Sequence, residues 1–345
     1  MPYDQTADQT RDRIPNDPAT QLRVRASWLY FIEGMTQSEV AKKLGVNRIM
    51  ITRLLSEAKR RGEVMIRVRS QLAAVVELQQ RLEERFGLDR AIVAPFDDES
   101  GDATKVIAAA AGAYVSEIMK DDLTVGVGWG RTLHSMLPFI EGRSLSGVRV
   151  VSLLGGIAQA RRFNPAEFAW QFAELFDAEG YLMSAPAIVD SVQTKHALLE
   201  HCGLDQILQI AEACNVALLS CGGISSLTTS YRLGHVSEAE RQSMIDAGAV
   251  GDILYNFVDT KGDPVDHPVN DRAISMSIAR LKRIPNKVLI SGGTEKVEIM
   301  LAVINSLRPS VLVTDERTAR ELLERHDPAS AGRTTGGARG RKASS

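Results

Sequence analysis

The segment MTQSEVAKKLGVNRIMITRLLSEAKRRG, residues 35–62, carries the signals for two short helices joined by a tight turn. Thr36 can cap the first helix, and Glu39, three positions later, completes a capping box. Gly45 permits the positive φ of a tight turn, and Asn47 can cap the second helix. The spacing therefore predicts a helix-turn-helix, with helices over residues 37–44 and 48–61.

The second predicted helix is amphipathic, and its outer side suits the major groove of DNA. At about 100° per residue, Ile51, Leu55 and Ala58 face inward. An outward arginine can bond a guanine edge in two places, and an exposed isoleucine can meet a thymine methyl. A basic helical module that binds protein is the alternative. The predicted DNA contacts are Gln37, Asn47, Arg48, Ile49, Thr52 and Arg53.

Charge is distributed unevenly along the chain of 345 residues. Residues 21–70 hold eleven Lys and Arg against four Glu, which gives this segment +7 and the remainder −9 within a net charge of −2. A small basic module on an acidic body indicates that one part meets a polyanion. Residues expected to add attraction to phosphates of any sequence are Lys42, Lys43, Lys59, Arg60, Arg61, Arg67 and Arg69.

Composition indicates a folded, reduced and cytoplasmic protein of two domains. The chain is 44% apolar and 24% charged, close to ordinary globular usage. No apolar run approaches the ~20 residues that span a bilayer. The polar start, MPYDQTADQTRDRIPNDP, offers no secretory signal. The three cysteines form no CxxC pair, and we expect them to be small buried residues.

Beyond residue 88, short apolar runs alternate with helical stretches, which predicts an α/β domain with a mostly parallel sheet. The predicted strands are Ala91–Ala94, Leu123–Val127, Val148–Leu154, Tyr181–Ser184, Val216–Ser220, Ile253–Val258, Lys287–Ile290 and Ser310–Val313. Glycine-rich loops, where ligands of such sheets bind, follow at residues 126–132, 153–156, 220–223 and 291–296.

These patterns divide the chain into segments of different character. The expected organisation is a disordered tail over 1–19, a winged-type helix-turn-helix domain over 20–70 that ends in a strand over 64–68, a linker or first body helix over 71–88, an α/β domain over 89–326 and a disordered tail over 327–345.

Several stretches in their order resemble the SorC family of bacterial transcriptional regulators. They are RASWLYFIEGMTQSEVAKKLGVNRIMITRLLSEAKRRGEVMIRV, VGVGWGRTL, SLLGGI, AVGDILYNFVDTKG, ISGGTEKVEIM and VLVTDERTARELL. The resemblance covers about residues 21–325. It implies a sugar-binding effector domain similar in fold to sugar-phosphate isomerases and CoA transferases. It also implies a homo-dimer or tetramer that controls carbohydrate metabolism genes, and whose affinity for operator DNA responds to a sugar, sugar phosphate or polyol.

Three positions depart from the pattern of the family. Asn47 stands where members often have Ser, and Ile49 stands where Pro is frequent. Arg131 stands where some relatives have a small residue. The first two departures bear on base preference, and the third bears on the identity of the effector.

The candidate effector contacts combine local chemistry with the resemblance. The residues after the second predicted strand open a helix, where backbone N–H groups can hold an anion and Arg131 can clamp a phosphate, unless it is a surface charge. Asp252, just before a predicted strand, can accept two sugar hydroxyls, and Lys296 resembles the family lysine that contacts the effector. The predicted contacts are Gly128, Trp129, Gly130, Arg131, Thr132, Asp252 and Lys296, with Asn164 and Glu167 as further candidates.

Other chemistry finds little support in the sequence. The six histidines are scattered, and the pair His196 and His201 lacks a complete set of zinc ligands. We expect no metal, no cofactor, no catalytic residue and no membrane partner. The alternative to a regulator is an isomerase-like enzyme, in which Asp252 and Lys296 would take the catalytic roles.

Overall fold

The computed structural model describes residues 17–64, 73–96, 101–157, 164–225 and 236–326, and the chain divides into two compact units, Met1–Val68 and Arg69–Ser345. Residues 1–16, 65–68 and 327–345, which hold most of the two predicted tails and of the predicted wing strand, lie outside the described residues, as does Arg69. The prediction of a tail was wrong for residues 17–19. Asp17 accepts hydrogen bonds from the N–H groups of Ala19 and Thr20, so that a helix begins at Pro18.

The first unit contains three α-helices, which confirms the helix-turn-helix. They are α1 (Pro18–Ser27), which continues into a π-helical turn (Trp28–Ile32), α2 (Gln37–Leu44) and α3 (Arg48–Arg60). The capping box of Thr36 and Glu39 is present, and Gly45 has a φ of +68°. Asn47 Oδ1 accepts a hydrogen bond from the N–H of Met50 at 2.8 Å and so caps α3. The core of this unit consists of Ala26, Leu29, Val40, Ala41, Ile51 and Leu55.

The second unit alternates strands and helices, which confirms the α/β class. Its helices are α4 (Ala73–Phe86), α5 (Thr104–Ile118), α6 (Arg131–Met136), α7 (Pro165–Glu174), α8 (Val192–His201), α9 (Leu204–Glu212), α10 (Glu238–Asp246), α11 (Pro268–Arg272), α12 (Ile278–Leu281), α13 (Val297–Leu307) and α14 (Glu316–His326). Its strands are β1 (Arg90–Ala94), β2 (Thr124–Val127), β3 (Arg149–Ser152), β4 (Glu179–Tyr181), β5 (Val216–Leu219), β6 (Cys221–Gly223), β7 (Gly251–Ile253), β8 (Asn256–Val258), β9 (Asn286–Ile290) and β10 (Val311–Asp315).

Seven strands form one sheet, in the order β1-β10-β9-β5-β2-β3-β4, and every neighbouring pair is parallel. Both faces of this sheet are buried. Leu218 and Leu219, which follow each other in β5, belong to two different hydrophobic cores, because successive side chains point to opposite faces. The carboxyl ends of all seven strands therefore meet at one edge, from which the glycine-rich loops leave.

A second, antiparallel sheet corrects one prediction. The apolar run over Ile253–Val258 was expected to be one strand, but it forms the end of β7, a turn at Leu254 and Tyr255, and then β8. These two strands pair with β6 in a three-stranded sheet. The sequence does not indicate this turn, because its two residues are neither glycine nor proline.

Helix α4 is the first helix of the body and not a linker. Its residues Val75, Leu78 and Leu82 are buried in a core that also contains β-strand residues of the large sheet. Gln79 Nε2 donates a hydrogen bond to the carbonyl of Ala91 in β1 at 2.8 Å. Across the described parts of the chain, none of the helices has both the length and the hydropathy that crossing a bilayer requires.

Candidate DNA-binding and effector sites

The outer side of α3 presents the residues that the sequence predicts to contact DNA. Ile51, Leu55 and Ala58 are buried beneath this helix. Ile49 is 70% exposed at the start of this helix. The other exposed residues of this surface are Asn47, Arg48, Thr52 and Arg53.

A hydrogen bond connects the two helices of the motif at this surface. Thr52 Oγ1 donates to Gln37 Oε1 at 3.0 Å and also lies 3.1 Å from the carbonyl of Arg48. The bond holds the amide oxygen of Gln37 against α3. The N–H₂ group of Gln37 does not take part in this bond and can donate to another acceptor. Asn47 caps the helix with its amide oxygen, and its N–H₂ group likewise takes no part in that bond.

Part of the expected positive charge of α3 is neutralised within the helix. Glu57 accepts hydrogen bonds from Arg60 and Arg61, and these bonds lower the pKa of Glu57 to about 2. Arg60 and Arg61 share this one carboxylate, and their attraction to phosphates remains a prediction. Lys59 lies over the ring of Phe31, at 5.2 Å from its centroid.

The loop between β2 and α6, together with the first two residues of α6, contains five of the predicted effector contacts. Its first residue is closely packed, since a Cβ on Gly128 would lie 3.1 Å from both the carbonyl oxygen of Leu218 and a methyl of Leu254. Trp129 and Thr132 are buried, with 7% and 3% of their surfaces exposed. Gly130 has a φ of +131°, which only glycine adopts readily.

Two of these residues have less freedom to bind a ligand than the sequence indicates. The N–H of Gly128, which was expected to help hold an anion, donates to the carbonyl of Leu218 at 2.8 Å. Thr132 is the second residue of α6 and is almost wholly buried. Arg131 is the accessible cation of this loop, with 46% of its side chain exposed.

Asp102, a carboxylate that the sequence did not single out, forms an ion pair with Arg131. Arg131 Nη1 is 3.2 Å from Asp102 Oδ2, and Lys296 also acts on this carboxylate. Partial burial raises the pKa of Asp102, but hydrogen bonds from Thr104 and the charges of Arg131 and Lys296 outweigh it and hold the pKa below its usual value. The only local signal was the acid two residues before the start of α5, where it caps the N–H of Thr104 at 3.0 Å.

Lys296 ends a short 3₁₀ turn, Thr294–Lys296, which follows the glycine-rich end of β9. Its charge also acts on the thiol of Cys221, which lies 3.4 Å from Ser291 Oγ. Burial raises the pKa of Cys221 to about 11, while Lys296 opposes and Asp252 reinforces this rise. The charges of Lys296 and Asp252 therefore both act on the buried thiol of Cys221, at the carboxyl edge of the sheet.

Asp252 occupies a different place from the one predicted. It lies inside β7, not before a strand, and is 3% exposed. Its Oδ2 accepts the N–H of Tyr255 at 3.0 Å, so that the carboxylate holds the turn between β7 and β8.

A cavity of about 280 Å³ opens at the same edge of the sheet. Asp102, Arg131 and Arg317 line it together with the backbone of Gly292 and Gly293. Lys296 and Asp252 are not among its lining residues. Arg317 donates to Thr294 Oγ1 at 3.1 Å, so both lining arginines already have polar partners on the loops.

The lower-ranked candidates have local structural roles. Asn164 caps α7 through the N–H of Ala166 and donates to the carbonyl of Ile157. Glu167 accepts a hydrogen bond from Gln171 one turn later. His196 pairs with Glu200, and within the described ranges no group of His, Cys, Asp and Glu is arranged to hold a metal ion.

Comparison with known proteins covers most of the chain. The sequence profile of the Sugar-bind family, a sugar-binding domain, matches residues 70–324. The deoxyribonucleoside regulator of Bacillus subtilis is 31% identical over 306 residues, which are 88% of this chain and 97% of that protein. The erythritol catabolism regulatory protein EryD of Brucella abortus is 29% identical over 311 residues, with 89% and 98% covered.

Solved structures are similar in fold over most of the chain. The full-length sorbitol operon regulator SorC of Klebsiella pneumoniae matches with a TM-score of 0.66 and 26% identity, over 88% of this chain and 98% of that one. A DeoR family transcriptional regulator from Listeria monocytogenes matches 72% of this chain with a TM-score of 0.67, and at 23% identity it supports the fold alone.

Proposed function

The chain belongs to the SorC family of transcriptional regulators, and from that premise we propose that a sugar, sugar phosphate or polyol, bound at the carboxyl edge of its large sheet, changes its affinity for operator DNA. The observation that carries the effector site is the ion pair of Arg131 with Asp102 beside the cavity at that edge, where the charge of Lys296 also acts on the same carboxylate. Arginines, carboxylates and glycine-rich loops line the cavity at this edge, and such a set of donors and acceptors can hydrogen-bond a polyhydroxylated small molecule or its phosphate.

In this proposal the loop Gly128–Thr132 and Lys296 surround the ligand. Arg131 is the accessible charge, and binding of an anion would compete with its ion pair to Asp102. Asp252, which is buried in β7, remains a proposed contact of the ligand. Relatives that regulate erythritol catabolism and a sorbitol operon indicate the class of ligand.

The first unit supplies the DNA contacts of the proposal. Arg48 and Arg53 are exposed on α3 and can reach guanine edges, while Ile49 offers an apolar contact to a thymine methyl. Gln37 and Asn47 present amide donors at the same surface, and Thr52 holds Gln37. The proposed target, operator DNA, also implies that the protein acts in the cytoplasm.

Two further parts of the proposal concern assembly and chemistry. Paired half-sites in operators favour a homo-dimer or tetramer, because one helix-turn-helix has limited affinity. We propose that the chain is not an enzyme. Asp252, the carboxylate that an isomerase reading would use as a base, is buried and already accepts the N–H of Tyr255.

The test begins with a thermal-shift screen of sugars, polyols and their phosphates, because a ligand of the folded state raises apparent stability. Operator DNA is selected from random sequences by the full chain, and the ligand is titrated into the complex while fluorescence anisotropy reports DNA release. We expect Arg131→Ala to raise the ligand concentration at half-release by roughly tenfold or more, since a hydrogen bond to a charged group contributes about 1.5–3 kcal/mol.

Arg90→Ala is the matched control for this experiment. Arg90 is as exposed as Arg131, at 47% against 46%, and it also pairs with one acid, Glu117. It lies at the start of β1, away from the carboxyl edge. An equal effect of both variants would contradict the proposed site, and conversion of the ligand by the protein would favour the isomerase reading.

A further inference from the structure

The turn that joins β7 to β8 has a backbone that its residues rarely adopt. Leu254 and Tyr255 have φ values of +53° and +58°. Two successive positive φ values characterise the type I′ turn, whose usual occupants are Asn and Gly. Leucine and tyrosine persist in this conformation only where the surroundings hold it.

Polar side chains on both sides of the turn hold it in place. Asp252 Oδ2 accepts the N–H of Tyr255 at 3.0 Å. Asn256 Nδ2 donates to the carbonyl of Ile253 at 3.0 Å and to that of Met276 at 3.1 Å. Asp252 and Asn256 therefore fix a strained turn from the strand before it and the strand after it.

Two side chains of the strained turn, those of Leu254 and Tyr255, pack against the loop after β2. The ring of Tyr255 is fully buried and stacks on Trp129, with centroids 5.2 Å apart and an interplanar angle of 18°. Leu254 lies against Gly128, where a Cβ would come within 3.1 Å of its methyl. A turn of Asn and Gly would supply neither contact.

We infer that Tyr255 is a positioning residue that fixes the loop Gly128–Thr132. Trp129 stands between two glycines, so it carries the one side chain of that part of the loop. This side chain packs on the ring of Tyr255, which holds the loop in place. The backbone then passes through Gly130 directly to Arg131. The inference rests on the proposed function only for the identity of what Arg131 binds.

Hydrogen exchange of the full chain tests the positioning directly. We expect amide exchange at residues 128–132 to become about tenfold faster in Tyr255→Leu, which removes the stack, and to stay at the parent rate in Tyr255→Phe, which keeps it. Trp129→Leu breaks the same contact from the other side and serves if Tyr255→Leu does not fold. Parent-like exchange at the loop in the stack-breaking variant that folds would overturn the inference.

A binding measurement separates this inference from the proposed function. Inorganic phosphate is titrated into the chain with Trp28 and Trp170 replaced by Phe, so that the emission of Trp129 reports the loop. We expect Tyr255→Leu to bind phosphate about tenfold more weakly than Tyr255→Phe, because the loop no longer holds Arg131 in place.

The two experiments distinguish a failure of the role of Tyr255 from a failure of the proposed effector site. Faster exchange in Tyr255→Leu, together with a parent chain that binds no phosphate, sugar, polyol or sugar phosphate, keeps the positioning role and removes the proposed effector site. Phosphate binding that is equal in Tyr255→Leu and Tyr255→Phe, without faster exchange, overturns the role of Tyr255 while leaving the effector site intact.

Discussion

Burial separates the three cysteines into two kinds. Cys202, expected to be buried, is exposed directly after α8, whereas Cys214 and Cys221 are buried. Burial raises the pKa of Cys214 to about 12 and that of Cys221 to about 11. The thiolate is the reactive form of cysteine, so the two buried thiols are poor nucleophiles as well as inaccessible ones.

This difference predicts the pattern of alkylation. At about pH 8, iodoacetamide should modify Cys202 in the native protein while leaving Cys214 and Cys221 unmodified, and urea should make all three reactive. Mass spectrometry of peptides measures the outcome. Cys202→Ser is the control and should leave the native chain unmodified. Modification of Cys221 at the rate of Cys202 would contradict the buried position of this thiol.

Arginines on the outer face of α3 are expected to contact bases, whereas a lysine on α2 is expected to contact the phosphate backbone. If Arg48 or Arg53 bonds a guanine, its change to Ala should cost roughly 1–3 kcal/mol and relax the preference at one base position. Lys42→Ala on α2 is the control, because loss of a phosphate contact weakens all sequences alike and lowers the salt dependence. Binding to a panel of single-base operator variants distinguishes them, and unchanged affinity in both arginine variants would exclude the assignment.

Sequence reasoning at the scale of residues succeeds where the partner is near in the chain. Thr36, Glu39 and Asn47 could be assigned as caps because their partners are three residues away. Asp102 could not be connected with Arg131, because only the parallel order of the strands brings the loops after β1 and β2 to one edge.

The turn between α2 and α3 depends on one residue without a side chain. Gly45 has a φ of +68° and no atom within 4 Å of the place a Cβ would take, so a substitution there meets conformational strain alone. We expect Gly45→Ala to destabilise the helix-turn-helix by about 1–2 kcal/mol, the cost of the left-handed region for an L-residue. Native-state hydrogen exchange of α2 and α3 amides measures it.

Gly45→Asn provides the comparison for this prediction, because asparagine tolerates the left-handed region better than alanine. Its exchange rates should lie between those of the parent and of Gly45→Ala. Equal protection in the parent and in both variants would show that the turn does not need the positive φ.

At the scale of elements, the sequence shows where strands are but not always where they break. The strands of the large sheet follow from apolar runs, since both faces are buried. The run over Ile253–Val258 has the same appearance, yet its turn is made by Leu254 and Tyr255. Only side chains distant in sequence, such as Trp129, explain why bulky residues occupy that turn.

The whole molecule combines a basic unit of 68 residues with a larger acidic one. This division, evident from charge alone, indicates that DNA and effector are bound by different units of one chain. Coupling between them requires that the effector bind the two states of the protein with different affinity. Thermodynamic linkage then makes the coupling reciprocal.

Reciprocity gives a prediction that separates binding residues from coupling residues. If the effector weakens operator binding by some factor, operator DNA must weaken effector binding by the same factor. Lys296→Ala removes a proposed contact that the DNA-free and DNA-bound states share. It should therefore weaken effector binding about ten- to a hundredfold, from the roughly 1.5–3 kcal/mol of a charge-assisted contact, and leave the factor itself unchanged.

The measurement is a titration of the effector against Lys296→Ala and the parent chain, each with and without saturating operator. Both should bind operator equally well without ligand, because Lys296 lies in the second unit, on a loop after β9. A factor that changes in Lys296→Ala would mean that the lysine distinguishes the two states and belongs to the coupling mechanism. An effector affinity that does not change would remove Lys296 from the site, and the search for the contact would move to Arg317, which lines the cavity beside Arg131.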